Sequence, residues 1–272
     1  MKQIVHGGCT IHYRVFGSGK PLVLLHGFGM SGSVWNKTAI ALSSQFQVIV
    51  PDLAGTSESL ASIPTDWTLE QHAESIHAIL SYEQIDRVTM IGHSMGGYIA
   101  LSFADRYQQH LQGMGLFCST AYADSNVRKQ NRVKAIAFIQ QHGTLAYLKT
   151  SIPTLFAPQY RSDPMVASLI AENSRIEADT LIAYQAAMCR RTDYAGWLNG
   201  SKIPLLLVAG EQDEIIPLQE SLTLCGRAMV TEWGVLPGTG HMAMLEQPEM
   251  TVEVIQHFMR TLSIVPRYGE TN

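Results

Sequence analysis

The chain has little that would suit it to nucleic acid, a metal or a membrane. Lysine and arginine number 19 against 23 aspartate and glutamate, a formal net charge of -4, so the basic footprint that nucleic acid requires is missing. No apolar run approaches the length that crosses a bilayer, and Met1-Lys2-Gln3-Ile4-Val5-His6-Gly7-Gly8 lacks the apolar stretch of a signal peptide. A soluble, cytoplasmic protein without a membrane partner is expected. Cysteine is sparse, and Cys9, Cys118, Cys189 and Cys225 show no C-x-x-C spacing, which points to packed, reduced thiols rather than a disulfide framework. Histidine is plentiful at 10 residues, but none falls in H-E-x-x-H or a comparable ligand cluster, so no metal site is expected.

What is present is a chain of 272 residues, 46% hydrophobic, long enough to bury one large core. Its most informative stretch is Gly92-His93-Ser94-Met95-Gly96, which fits G-x-S-x-G. The strand-like Arg87-Val88-Thr89-Met90-Ile91 precedes it, and the helical Tyr98-Ile99-Ala100-Leu101-Ser102-Phe103-Ala104 follows. A serine on so sharp a turn is strained and exposed, and only small residues two places either side avoid a clash. Gly92 and Gly96 fill those places.

A nucleophilic serine needs a base, and the base needs an acid to orient it. Asp213 falls just past the buried-strand pattern Pro204-Leu205-Leu206-Leu207-Val208-Ala209-Gly210, where open α/β sheets place their sites. Glu211, Glu214 and Asp193 compete for the acid role. His241 lies in the loop Val235-Leu236-Pro237-Gly238-Thr239-Gly240-His241, and a long loop after a late strand can bring it over Ser94. The chain order Ser94, Asp213, His241 is the one expected of a G-x-S-x-G nucleophile on an α/β-hydrolase.

Across nearly its whole length the chain resembles the α/β-hydrolase superfamily, in particular a serine-nucleophile, carboxylesterase-like member with a helical cap. Leu22-Val23-Leu24-Leu25-His26-Gly27-Phe28-Gly29 is similar to the family's strand and oxyanion loop, and Val48-Ile49-Val50-Pro51-Asp52-Leu53-Ala54-Gly55 to its next strand and turn. Gly240-His241 with Glu246 and Pro248 is similar to its histidine loop leading into the last helix, which Glu246 is expected to brace. The run Gly55-Thr56-Ser57-Glu58-Ser59 departs from the family by lacking a second glycine. The resemblance implies catalysis by Ser94, Asp213 and His241 without a cofactor, with the backbone N–H groups of Phe28 and Met95 holding the oxyanion. It favours Asp213 among the candidate acids.

The resemblance also implies the architecture: an α/β fold with a mostly parallel central sheet, helices on both faces and an inserted helical cap. Strand patterns near 22–25, 47–50, 87–91, 111–117, 204–209 and 230–236 alternate with helical ones, including 69–80 and the segment after Pro248. Ile11-His12-Tyr13-Arg14-Val15-Phe16 reads as part of an antiparallel hairpin at a sheet edge. Between residues 120 and 197 the pattern turns helical, with Val133, Ile136, Ala137 and Gln140 at helical spacing and a break at His142-Gly143. The expected division is therefore core over 1–119, cap over 120–197 and core again over 198–272, with the polar tail 266–272 frayed.

One motif competes with this reading. Gly27-Phe28-Gly29-Met30-Ser31-Gly32 matches G-x-G-x-x-G, and Asp52 ends the next strand as a ribose-binding acid would. A dinucleotide site, however, leaves Ser94, Asp213 and His241 without a role. His26 and His93 flank the site and read as scaffold or pocket wall, whereas His72 and His77 read as solvated surface residues. Phe28, Trp35, Tyr122, Phe156, Tyr184, Met188 and Met242 are candidates to line a small-molecule pocket. Three functions remain open: hydrolysis of a small ester, C–C hydrolysis or lyase chemistry on the same triad, and a slow-turnover receptor. The second would draw on Arg128, Arg132, Arg161, Arg190 or Arg191 to bind a carboxylated substrate.

Overall fold

The computed structural model describes residues 1–59, 63–227 and 231–262. The expected tail 266–272 and the first residue of the strand near 230–236 lie outside the described residues. Eight strands form one sheet: β1 (Lys2–His6), β2 (Cys9–Phe16), β3 (Lys20–Leu25), β4 (Phe46–Pro51), β5 (Val88–His93), β6 (Leu111–Phe117), β7 (Leu205–Gly210) and β8 (Thr231–Leu236). Their order is β1-β2-β4-β3-β5-β6-β7-β8. β1 and β2 make an antiparallel hairpin through Gly7 and Gly8, whose φ values of +57° and +78° are those a type I′ turn demands. β2 joins β4 antiparallel, and every later pairing is parallel.

The central strands are buried on both faces, which is why they read as continuous apolar runs rather than alternating ones. Val23, Leu25, Ile49 and Met90 point into one core with α2 (Leu69–Tyr82) and α3 (Met95–Tyr107). Leu22, Leu24, Val48 and Val50 point into the other, with α1 (Asn36–Leu42) and α10 (Pro248–Thr261). β3 pairs with β4 on one side and β5 on the other, so the sheet reverses its winding there. The loops after β3 and β5 open at that switch point, the place where α/β sheets hold ligands.

Between β6 and β7 the chain leaves the sheet for a helical layer: α4 (Asn126–Ser151), α5 (Pro164–Asn173), α6 (Ala178–Arg190) and α7 (Ala195–Leu198). Gly143, at φ 77° and ψ 175°, breaks α4 where the sequence marks a stop. The short helices α8 (Leu218–Cys225) and α9 (Ala243–Glu246) follow β7 and β8.

His72 corrects a sequence expectation. It is fully buried, not solvated, edge-on between Trp67 and Tyr184 at 5.9 and 5.0 Å, and neither ring nitrogen has a hydrogen-bond partner. The spacing Leu69, His72, Ala73, Ile76, Ile79 on α2 puts it on the inward face. His77 is half-buried and stacks on Tyr107 at 4.1 Å.

Burial lowers the His72 pKa to about 3. Between its ordinary 6.5 and that value the unfolded chain binds the proton and the folded chain does not. The contribution to stability is therefore whole above pH 6.5 and falls by about 1.4 kcal/mol per unit as pH drops. His72→Phe, which keeps a ring but no titrating group, should flatten the decline of urea-unfolding free energy from pH 6 to 4 by about that slope. An unchanged slope would refute it.

Candidate active site

Ser94 joins β5 to α3 at φ 52° and ψ -116°, a conformation that costs a non-glycine residue about 1–3 kcal/mol. The surroundings over-determine it. Its N–H donates to Phe117 O at 3.0 Å, and its carbonyl accepts from Gly97 N at 2.9 Å and Ser119 Oγ at 2.7 Å. A Cβ on Gly92 would stand 2.1 Å from Gly96 O, and one on Gly96 would stand 2.7 Å from Leu25 O. Without those atoms α3 can start against the ends of β3 and β5. Ser94 stays partly exposed while Met95 beside it is fully buried.

Asp213 and His241 meet in the core. Asp213 Oδ2 accepts from His241 Nδ1 at 2.8 Å, with side chains 0% and 2% exposed. Asp213 Oδ1 accepts from Ile215 N at 2.8 Å and Ile216 N at 2.9 Å, so backbone donors replace the solvation that burial removes. With Nδ1 donating to a carboxylate, Nε2 of the neutral ring is left as the acceptor. The competing acids are engaged elsewhere: Glu211 on Gly238 N, Glu214 on Arg161, and Asp193 on Ala123 N and Ala195 N.

His93 links the two halves. Its Nε2–H donates to His241 O at 2.9 Å, and the two rings lie 4.8 Å apart. Burial, with His241 close by, holds the His93 imidazole well below its usual pKa, so it is neutral. A Cβ on Gly27 would lie 2.7 Å from His93 Nδ1 and 3.3 Å from Ser94 Cβ, which brings the loop carrying Phe28 against the serine. Among the described residues no hydrogen bond joins Ser94 Oγ to His241, a contact that often closes only around substrate.

The G-x-G-x-x-G loop is thus part of this site. Asp52 is fully buried and bonded within the chain: its Oδ1 accepts from Gly32 N at 2.8 Å and Arg14 at 3.1 Å. His26 is scaffold, accepting from Leu53 N at Nε2 and donating to Gly27 O.

Phe28 is half-buried under the helical layer, edge-on to Tyr147 and Tyr184 at 6.0 and 6.4 Å, with Leu148 close over Gly29. Sequence reasoning missed Tyr147, because nothing in the pattern of α4 says which turn overhangs Phe28. Tyr122 is half-buried with its carbonyl on Arg191. The remaining pocket candidates sit in the core, each 3% exposed or less: Trp35, Phe156, Tyr184, Met188 and Met242. Trp35 packs on Phe117 and donates to Leu25 O, and Tyr184 OH donates to Ala54 O.

The insertion's arginines are mostly committed to carboxylates of the chain. Arg191 lies 2.6 Å from Asp124, which Arg132 also holds, while Arg128 pairs with Glu220 and Arg161 with Glu214. Burial pushes the Asp124 carboxyl up, but the two guanidiniums outweigh it and hold it below the usual range. Arg190 is exposed. A separate small cleft is lined by Leu69, Tyr98, Ser102, Thr120, Arg191 and Tyr194, and neither Ser94 nor His241 is among its lining residues. Among the described residues no cluster of histidine, cysteine and carboxylates could hold a metal ion, and no helix is long and apolar enough to cross a membrane. The four cysteines are free thiols.

A family model described as the alpha/beta hydrolase fold matches residues 20–248. The structure of a thermophilic esterase from Thermogutta terrifontis, with malate bound, is 26% identical and aligns at a TM-score of 0.90 over 96% of this chain and 99% of that one. The enol-lactonase from Burkholderia xenovorans LB400 is 21% identical at a TM-score of 0.88, over 95% and 100%. A 2-hydroxy-6-oxononadienedioate/2-hydroxy-6-oxononatrienedioate hydrolase of Paraburkholderia phymatum is 26% identical over 94% of each chain.

The glycine contacts at the Ser94 turn are directly testable. Gly92→Ala forces Gly96 and α3 to move, so its urea-unfolding free energy should fall by the ~1–3 kcal/mol typical of overpacking, with a correspondingly lower midpoint. Gly200→Ala, which meets nothing within 4 Å, is the control. Equal midpoints for the two variants would refute the close approach.

Proposed function

The chain belongs to the α/β-hydrolase family, and from that premise we propose that it is a serine hydrolase cleaving a small, uncharged carboxylic ester or related acyl compound. The observation that carries this reading is the buried Asp213–His241 pair, linked through His93 to the neighbouring strained, partly exposed Ser94. Ser94 Oγ attacks the carbonyl carbon while His241 Nε2 takes its proton. Asp213 keeps the tautomer with Nδ1–H and stabilises the imidazolium that forms. The N–H groups of Phe28 and Met95 receive the oxyanion, Met95 at the positive end of α3, each worth about 3 kcal/mol in the transition state. The tetrahedral intermediate collapses as His241 returns the proton to the leaving oxygen. Water, deprotonated by His241, then releases the acid. Side chains and backbone N–H groups fill every role in this scheme, so it calls for no cofactor.

We assign residues 120–197 as the cap that selects the substrate, over a core of 1–119 and 198–272. The aromatic surroundings of Phe28 favour an apolar acyl group. The Paraburkholderia relative's printed substrates are dioates, and a second carboxylate needs a cation. Here Arg128, Arg132, Arg161 and Arg191 already serve Glu220, Asp124 and Glu214. That commitment supports ester hydrolysis over chemistry on a dicarboxylate.

A fluorophosphonate should label Ser94, Ser94→Ala should lose ester hydrolysis with its fold intact, and Asp213→Asn should lower kcat by up to ~10⁴-fold. Mass spectrometry of the adduct and nitrophenyl-ester kinetics read these outcomes, and label on another residue would overturn the assignment.

Selection by the cap has its own test. Tyr147→Ala should alter kcat/KM across an acyl chain-length series more than it alters kcat on the shortest ester, within the ~1–3 kcal/mol that a methylene contributes in an apolar pocket. A uniform loss on all esters would make Tyr147 a packing residue.

A further inference from the structure

Glu246 does not brace the last helix, as its sequence position implies. The residue is 6% exposed, and its carboxylate accepts three backbone N–H groups: Gly240 at 2.9 Å and Ala157 at 3.2 Å on Oε2, and Met242 at 3.1 Å on Oε1. Gly240 and Met242 flank His241, and Ala157 belongs to the helical layer. A buried carboxylate is costly unless its oxygens are satisfied, and backbone donors satisfy these. Burial pushes the Glu246 carboxyl above its usual pKa even so.

The peptides around His241 are held from three directions. His241 N–H donates to Leu155 O at 2.7 Å, its carbonyl takes His93, and both neighbouring N–H groups end on Glu246. The approach is backbone to backbone: a Cβ on Gly240 would stand 2.4 Å from Ala157 N and 2.8 Å from Phe156 C. Residues 155–157 therefore cannot withdraw without breaking the bonds that aim the imidazole, and misplacing a catalytic group by 1 Å can cost ~100-fold in rate.

We propose that Glu246 is a positioning residue for His241, clasping the loop 240–242 to residues 155–157 so that the helical layer and the imidazole are held or released as one unit. The inference rests on the reading of His241 as general base. It makes the layer part of the catalytic machinery as well as a wall of the pocket.

The test begins with fluorophosphonate labelling of the wild-type protein, because absence of label on Ser94 overturns the catalytic reading and this inference with it. If Ser94 labels, Glu246→Gln decides. Its amide keeps one acceptor oxygen and turns an NH₂ toward backbone donors. With far-ultraviolet circular dichroism unchanged, kcat on a short nitrophenyl ester should fall ~10- to 100-fold while KM stays within about twofold. An unchanged kcat, or a loss confined to thermal stability, overturns the clasp and leaves the catalytic reading standing. Hydrogen exchange on the wild-type protein removes dependence on the variant's folding. Corrected for their intrinsic exchange rates, the amides of Ala157, Gly240 and Met242 should report one common opening free energy, and in Glu246→Gln all three should lose protection while Ile215 and Ile216 hold. An opening free energy for Ala157 in the wild type that differs from those of Gly240 and Met242 would overturn the proposal.

Discussion

The structure depends on the close approach of backbones where β5 turns into α3. Gly92 lies against Gly96, Gly96 lies against the carbonyls of Leu25 and His26, and Gly27 lies against His93 and Ser94. A methyl group at any of these positions would displace backbone or the ring of His93. Three chain segments can converge on one point only because they carry no side chain there. The strain at Ser94 persists because Phe117, Gly97 and Ser119 hold its amide from both sides. The helix that begins at Met95 is thereby aimed, positive end first, at the space above the serine.

The second organising device is the use of backbone N–H groups to solvate buried carboxylates. Asp213 takes Ile215 and Ile216; Glu246 takes Gly240, Met242 and Ala157. Backbone donors replace the solvent that each carboxylate gives up, and each fixes the loop whose amides it accepts. His241 sits where the two meet, with its ring on Asp213 and its flanking peptides on Glu246. The insertion uses a different device: Asp124 is paired with two arginines, and the surplus cation is stacked 4.1 Å over Tyr98 and bonded to the carbonyls of Tyr122 and Met188. Polar groups at the root of the insertion are thus satisfied by the chain itself.

Several features were legible because their physics is local. G-x-S-x-G needs its glycines at fixed offsets from the serine, parallel strands buried on both faces must be continuous apolar runs, and Gly143 marks a break wherever its helix sits. His72 was legible too, since Leu69, His72, Ala73 and Ile76 share one helical face, but polarity outweighed spacing in that reading. Trp35, Phe156, Tyr184, Met188 and Met242 are all buried. Large apolar side chains near a site in sequence suit an enclosed pocket and a core equally well, so residue type alone assigns them to neither.

The sequence by itself determined the fold class, the order of Ser94, Asp213 and His241, and the turn geometry around the serine, because each follows from residue type and spacing within a few positions. Only the tertiary structure decided which carboxylate holds His241, which side chains overhang Phe28, and that the insertion's arginines are mostly committed to the chain's own acids. These are contacts between residues far apart in the chain, Ala157 with Glu246 or Asp124 with Arg191. No local spacing encodes them, since packing of separate elements brings their partners together.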